Sequence, residues 1–140
     1  VLILIRNKLK SVGYVYIMYY PTDHLWKIGR TVKPLQRWRS IKQDLPGNIY
    51  PIFFPVFNTF YQERWVGNRY KQYKHKPKGY GANAGANEFF RLNLIQVGYI
   101  FYLFIINSLL YFIFILYLYI IFFGITYFMY IHRIELINLF

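Results

Sequence analysis

Charge divides this chain into two stretches that cannot share one folding solution. Residues 93–140 carry only Arg133 and Glu135, so the whole net charge of +12 lies in residues 1–92. Within the second stretch, residues 109–131 hold no charged side chain and are almost wholly Phe, Tyr, Ile and Leu. At about 1.5 Å of rise per residue, a helix over that run is long enough for the roughly 30 Å of a hydrocarbon core. Apolar contributions of about −0.3 to −0.6 kcal/mol per residue favour its insertion. The expectation is a hydrophobic helical C-terminal segment over 93–140, with a possible transmembrane helix at about 109–131. Val97 to Ile106 is too short for a second span, and the positive charge on the N-terminal side places that side in the cytoplasm. A competing account starts from codons. Phe, Ile, Tyr, Leu and Asn have A/T-rich codons, and Ala, Pro, Lys and Asp are missing from 93–140, so translation of a T-rich non-coding frame gives the same composition.

A basic surface of this strength meets polyanions, either nucleic acid or anionic lipid. With no cysteine, disulfides and thiolate metal sites are excluded. Residues 1–12 read as a lead-in or a fragment end. VLILI is too short for a secretory core, and the charges of RNKLK follow it instead of preceding it.

From Gly13 the order of elements is legible. GYVYIMYY and LWKIG, separated by the turn residues Pro21-Thr22-Asp23, read as an antiparallel hairpin. A helix follows from Pro34, with Leu35, Trp38 and Ile41 expected on one face, and Leu45-Pro46-Gly47 ends it. IYPIFFPVF reads as a strand, and Pro51 and Pro55 send it to a sheet edge or a bulge. Thr59 and Gln62 have capping-box spacing, and the helix they open is expected to turn Phe60, Trp65 or Val66, and Tyr70 or Tyr73 inward. A basic, Gly-rich loop then leads to EFFRL, a plausible last strand.

Few residues here are able to carry chemistry. The acids before residue 93 are Asp23, Asp44, Glu63 and Glu88, and His24, His75 and His132 lack ligand spacing. No serine-nucleophile signature is present, and the glycines near 79–85 lack the context of a phosphate loop. Arg30, Arg37, Arg39 and Lys42 near the first helix are the better lead, because a guanidinium grips phosphate with a planar fork.

Taken in order, Tyr14-Val15-Tyr16, the short hairpin loop, Lys27-Ile28-Gly29, Arg37, Glu63 and the closing EFFRL resemble a GIY-YIG endonuclease domain over residues 13–92. KIGRT is similar to the phage and large-DNA-virus branch, often described as a DNA-binding domain. The resemblance implies a small α+β fold in which a three-stranded antiparallel sheet is flanked by helices. It also implies hydrolysis of DNA phosphodiester bonds with one divalent cation, Mg²⁺ or Mn²⁺. Glu63 would hold the metal, Arg37 would clamp the scissile phosphate, and Tyr16 would position or deprotonate the attacking water. Lys27 and Arg30 would supply the positive charge that a tyrosine needs to act near neutrality. Arg39, Lys42, Lys71, Lys74, Lys76 and Lys78 would contact nucleic acid. The chain departs from the family pattern where Lys27 replaces the second motif's tyrosine and where Gly67 replaces a histidine. It also has no clear asparagine after the glutamate helix, with only Asn83 and Asn87 nearby. The alternatives are a non-catalytic DNA-binding module of the same fold and a basic membrane-anchored protein contacting anionic lipid.

Overall fold

The computed structural model describes residues 12–79 and 88–138, the side chains of 135–138 excepted. Residues 1–11 and the loop asparagines Asn83 and Asn87 lie outside the described residues. The class is α+β. Strands β1 (Gly13–Tyr20), β2 (Leu25–Thr31), β3 (Tyr50–Val56) and β4 (Phe89–Phe90) alternate with helices α1 (Pro34–Asp44), α2 (Thr59–Arg69) and α3 (Leu94–Asn138). The sheet is antiparallel in the order β3-β1-β2-β4. Among the described residues its strands number four, where three are expected, because EFFRL docks Phe89 and Phe90 beside Lys27 and Trp26.

The hairpin forms as the local sequence directs. Pro21–Asp23 is a single 3₁₀ turn, closed by His24 in the left-handed region at φ 52. Strand β3 lies at the sheet edge, where prolines that cannot donate to a ladder are tolerated.

Each face of the sheet buries its own cluster, because alternate side chains point to opposite sides. Tyr16, Met18, Tyr20, Leu25 and Phe89 pack with Ile41, Leu45 and Ile49 on one face. Val15, Ile17, Ile28, Phe54, Val56 and Phe90 pack with Val66 of α2, with Tyr70 just past its end, and with Val97, Ile100 and Phe104 of α3. The compact N-terminal unit runs to Ser108, past the boundary expected at Leu92, since the opening of α3 completes this second cluster.

Two inward-facing assignments change. Leu35 is 62% exposed although Ile41 is buried, because six residues of helix rotate the side chain by about 240°. The inward line is instead Arg37, Ile41 and Leu45, spaced by four. Phe60 is also exposed, and Thr59, Glu63, Val66 and Tyr70 share the inward stripe of α2. The cap of α2 is Asn58, whose side chain accepts from the Tyr61 N–H at 3.1 Å. It displaces the expected capping box at Thr59 by one position.

The second unit begins at Leu109 and consists of the rest of α3. By length and composition Leu94–Ile134 is apolar enough to cross a membrane, and an 18-residue stretch within it has mean hydropathy 2.4. From Leu109 to Ile134 no residue is buried.

Candidate functional site

Strand register sets the first half of the site. Tyr16 pairs with Gly29 across β1 and β2, and Lys27 stands two residues away on the same face. A Cβ at Gly29 would collide with the Tyr16 hydroxyl and approach Glu88 Oε2 to 3.2 Å. The glycine of KIG is thus the space into which the phenol reaches. Arg37 arrives from α1, one turn before Ile41, and its Nε donates to the Tyr16 hydroxyl at 3.2 Å.

These groups converge on Glu88, the first residue of EFFRL, to which the resemblance assigns no role. Glu88 Oε2 accepts from Lys27 Nζ at 2.9 Å, from Arg37 Nη2 at 3.3 Å and from the Tyr16 hydroxyl at 3.3 Å. Glu88 is able to reach them because β4 meets β2 only at Trp26 and Lys27, while the other side of β4 is bridged to Lys74. Among the described residues, no strand covers the remaining edge of β2. A signal for Glu88 exists in the sequence: a lysine at a core-facing strand position needs a counter-charge, and only four acids precede residue 93.

The second half lies beyond that edge. Glu63 Oε2 accepts from Arg30 Nε at 2.7 Å, and both side chains remain partly exposed. Glu63 and Glu88 line one small cavity of about 240 Å³, together with Ile28, Arg64, Gly67, Asn68 and Lys74. A larger opening of about 740 Å³, lined by Tyr19, Trp26 and Leu94 among others, shares no residue with it.

Electrostatics assigns the protonation states. Lys27 is fully buried, and burial pulls its ammonium below the usual lysine range while Glu88 opposes the fall. Burial, and then the Glu88 charge, push the Tyr16 phenol far above its ordinary range against the pull of Arg37. Tyr16 is therefore a neutral hydroxyl, donating to Glu88 and accepting from Arg37. The cationic neighbour expected to acidify it, Lys27, spends its charge on Glu88 and on the Phe89 ring, 4.4 Å away. The Glu63 carboxyl is raised, first by burial and next by Glu88, with Arg30 pulling the other way.

Of the surface cations expected to meet nucleic acid, Lys74 lines the cavity and lies 6.0 Å over Phe90. Arg39, Lys42, Lys71, Lys76 and Lys78 are exposed, outside the Glu88 cluster. Lys42 covers Trp38 at 5.6 Å, and the Lys78 backbone N–H donates to Asp23.

Residues 13–103 match the family model of the T5orf172 domain. The chain belongs to that family. It is a phage-associated, nuclease-related domain, and the T5orf172 match ends on α3 within the buried stripe that runs from Val97 to Ser108. No curated protein and no solved structure matches the chain.

Could the T5orf172 site hold a cation? Among the described residues no group of three or more His, Cys, Asp or Glu converges. The carboxylates that face one cavity are Glu63 and Glu88, oxygen donors of the kind a hard cation takes. A hard cation is content with one or two carboxylates, water and substrate phosphate, whereas zinc requires a fuller protein shell.

Proposed function

We propose that this T5orf172 domain is a DNA-directed phosphodiester hydrolase of the GIY-YIG type, dependent on Mg²⁺ or Mn²⁺. The observation that carries the reading is the cradle of Tyr16, Lys27 and Arg37 around one anionic oxygen of Glu88. Three donors from β1, β2 and α1 are pre-aimed at a negative oxygen beside a cavity that also presents Glu63. A phosphate oxygen has the charge and acceptor geometry that such a cradle selects.

In this reading Glu63 would hold the cation, with Glu88 the nearest second carboxylate. When bound, the cation supplies Lewis-acid polarisation of the phosphate and stabilises the leaving oxygen. The chain's own groups do the rest. Arg37, fixed by Tyr16 and Glu88, meets the phosphate as negative charge grows on it. Tyr16 keeps its proton and orients a water through the remaining lone pair of its hydroxyl. Lys27 holds positive charge beneath both. Arg30 holds Glu63 in place. The basic surface supplies non-specific, salt-dependent affinity for DNA. The apolar stretch after Leu109 supports a membrane anchor as a further part of the proposal.

The test is nicking of supercoiled plasmid by the full chain in detergent, with Mg²⁺, with Mn²⁺ and with chelator. Cleavage that needs the cation, and that falls by orders of magnitude in Glu63→Gln while DNA affinity is kept, supports the reading. Arg37→Ala is expected to lose about 10²–10³ in rate. DNA bound but never cut, under either cation, moves the assignment to the binding module. Undiminished cleavage by Glu63→Gln refutes the metal ligand.

A further inference from the structure

Helix α2 turns Glu63 toward the sheet, and its opposite side has no such duty. Tyr61, Trp65 and Arg69, spaced by four, run beside Arg64 and Asn68, also spaced by four, so these residues form one outer stripe. Together they line a shallow groove of about 580 Å³. Its two aromatic members differ, Tyr61 being open to solvent and Trp65 partly buried against the core cluster. Tyr61 is 60% exposed, and Trp65 is held edge-on by Tyr70 and tilted against Tyr99, with centroids at 6.4 and 6.2 Å. Around the helix from them, the exposed ring of Phe60 lies beneath the guanidinium groups of Arg30 and Arg64, at 5.2 and 5.9 Å.

Arg64 and Asn68 also line the cavity that contains Glu63 and Glu88. Groove and cavity therefore meet along two shared side chains.

We propose that this outer face of α2 is a track for an unpaired nucleic-acid strand leading away from the carboxylate cavity, with Tyr61 as a base-stacking platform and Arg64 and Arg69 as phosphate contacts. The inference rests on the DNA-directed reading above and narrows its substrate class. Among the described residues no acidic side chain lines the groove, which fits a polyanion. Charge alone fits a lipid headgroup equally well, but a lipid surface has no use for a passage into the cavity. Base faces inside a duplex are already stacked on their neighbours, so an exposed side-chain ring is able to stack only on a base presented outside the duplex. The favoured substrate is then DNA with a single-stranded region next to the scissile bond, such as an overhang, a flap or a gap.

The experiment is fluorescence anisotropy of the full chain in detergent with chelator present, using a labelled single strand, a blunt duplex of equal length and the same duplex with an overhang. Tyr61→Ala is expected to weaken single-strand and overhang binding by about fivefold to a hundredfold, the usual range for loss of one stacked base. Blunt-duplex affinity stays within about twofold, and Tyr61→Phe restores the strand preference because the ring, not the hydroxyl, does the stacking. Arg64→Gln serves as a second probe and should lower the salt dependence of strand binding. Equal losses on strand and duplex, or no loss on either, overturn the proposal. So does a Tyr61→Ala variant that loses only its binding to anionic phosphatidylserine vesicles. A wild-type chain that binds no nucleic acid overturns the DNA-directed reading as well. Cation-dependent duplex cleavage together with strand binding indifferent to Tyr61 overturns this proposal alone.

Discussion

Helix α3 has the same apolar chemistry on both sides of Ser108, yet the two stretches follow different rules. Before that point Val97, Ile100, Phe104 and Ser108 are buried, while Leu94, Ile95, Tyr99 and Tyr102 are exposed. The buried set recurs at intervals of three and four, the signature of one face laid on a core. After it, Leu109, Leu110, Phe112 and Ile113 are all exposed, as are Phe122 and Phe123 further on. Apolar residues circle the whole helix there, a pattern that finds no partner in water. Hydropathy alone does not separate a core helix from one that needs another solvent. The presence of a facing sheet does.

The largest expected effect follows from where the chain is cut. A chain ending at Ser108 should be soluble and melt cooperatively, whereas one ending at Leu92 should not hold its fold. Burying Val97, Ile100 and Phe104 contributes about 1.5–3 kcal/mol each, and together that approaches the ~5–15 kcal/mol margin of a whole domain. Phe54 would also lose Phe101 and Phe104, which meet its ring at 5.1 and 5.7 Å. Circular dichroism melts of the two chains decide the matter. Equal melting would mean that the stripe on α3 is incidental and that the contrast between the two stretches fails.

The second effect sharpens the contrast in charge. The N-terminal unit buries Lys27 completely and matches it with Glu88, while Arg30 and Glu63 form a half-exposed pair. Glu88→Ala leaves a buried ammonium without its carboxylate. Breaking such a pair costs about 3–5 kcal/mol when both partners are buried, and the partial exposure of Glu88 favours the lower figure. Glu63→Ala removes a pair of the kind worth about 1 kcal/mol or less. Urea unfolding of the chain ending at Ser108 should rank the two variants in that order, and the reverse ranking would displace Glu88 from the centre of the site.

How much of this arrangement was legible in the sequence depends on the reach of each signal. The hairpin, both short helices and the edge placement of β3 follow from local features: turn residues, an N-terminal proline, and prolines that cannot donate. Leu35 was misread because a spacing of three drifts around a helix, while the spacing of four from Arg37 to Ile41 to Leu45 stays on one face. Asn58 and Thr59 are adjacent residues equally able to cap, and only the backbone path decides between them. The meeting of Tyr16, Lys27 and Arg37 at Glu88 depends on β4 pairing with β2 from far along the chain. No local pattern encodes that pairing. The resemblance to a nuclease motif marks Tyr16, Lys27, Arg37, Glu63 and the segment EFFRL together, but it gives Glu88, the first residue of that segment, no role beside the three groups it organises.

A smaller effect concerns pH. The Glu63 carboxyl is raised above 4.5 in the folded chain, chiefly by burial and then by Glu88. In the window just above 4.5 the native state therefore holds a proton that the unfolded state has released. Fewer protons bound on unfolding means that this group's contribution to stability falls as pH rises through that window, at no more than about 1.4 kcal/mol per pH unit. Glu63→Gln should remove that part of the slope in urea titrations across the mildly acidic range. An unchanged slope would place the raised carboxyl elsewhere.

The smallest effect tests whether the cavity needs its open wall. Gly67 follows Glu63 by one turn of α2 and lines the same cavity, and a Cβ built there meets nothing within 4 Å. Glycine inside a helix costs roughly 0.5–1 kcal/mol relative to alanine, so Gly67→Ala should stabilise the chain ending at Ser108 by about that amount. The methyl group would also enter the space beside Glu63. If substrate or cation uses that space, the variant gains stability while DNA cleavage falls, and the glycine is there to leave room. If stability and cleavage both hold or rise, the wall is spare volume, and a larger side chain such as histidine should fit as well. A loss of stability would contradict the open geometry around Gly67, because neither crowding nor backbone strain is there to cause it.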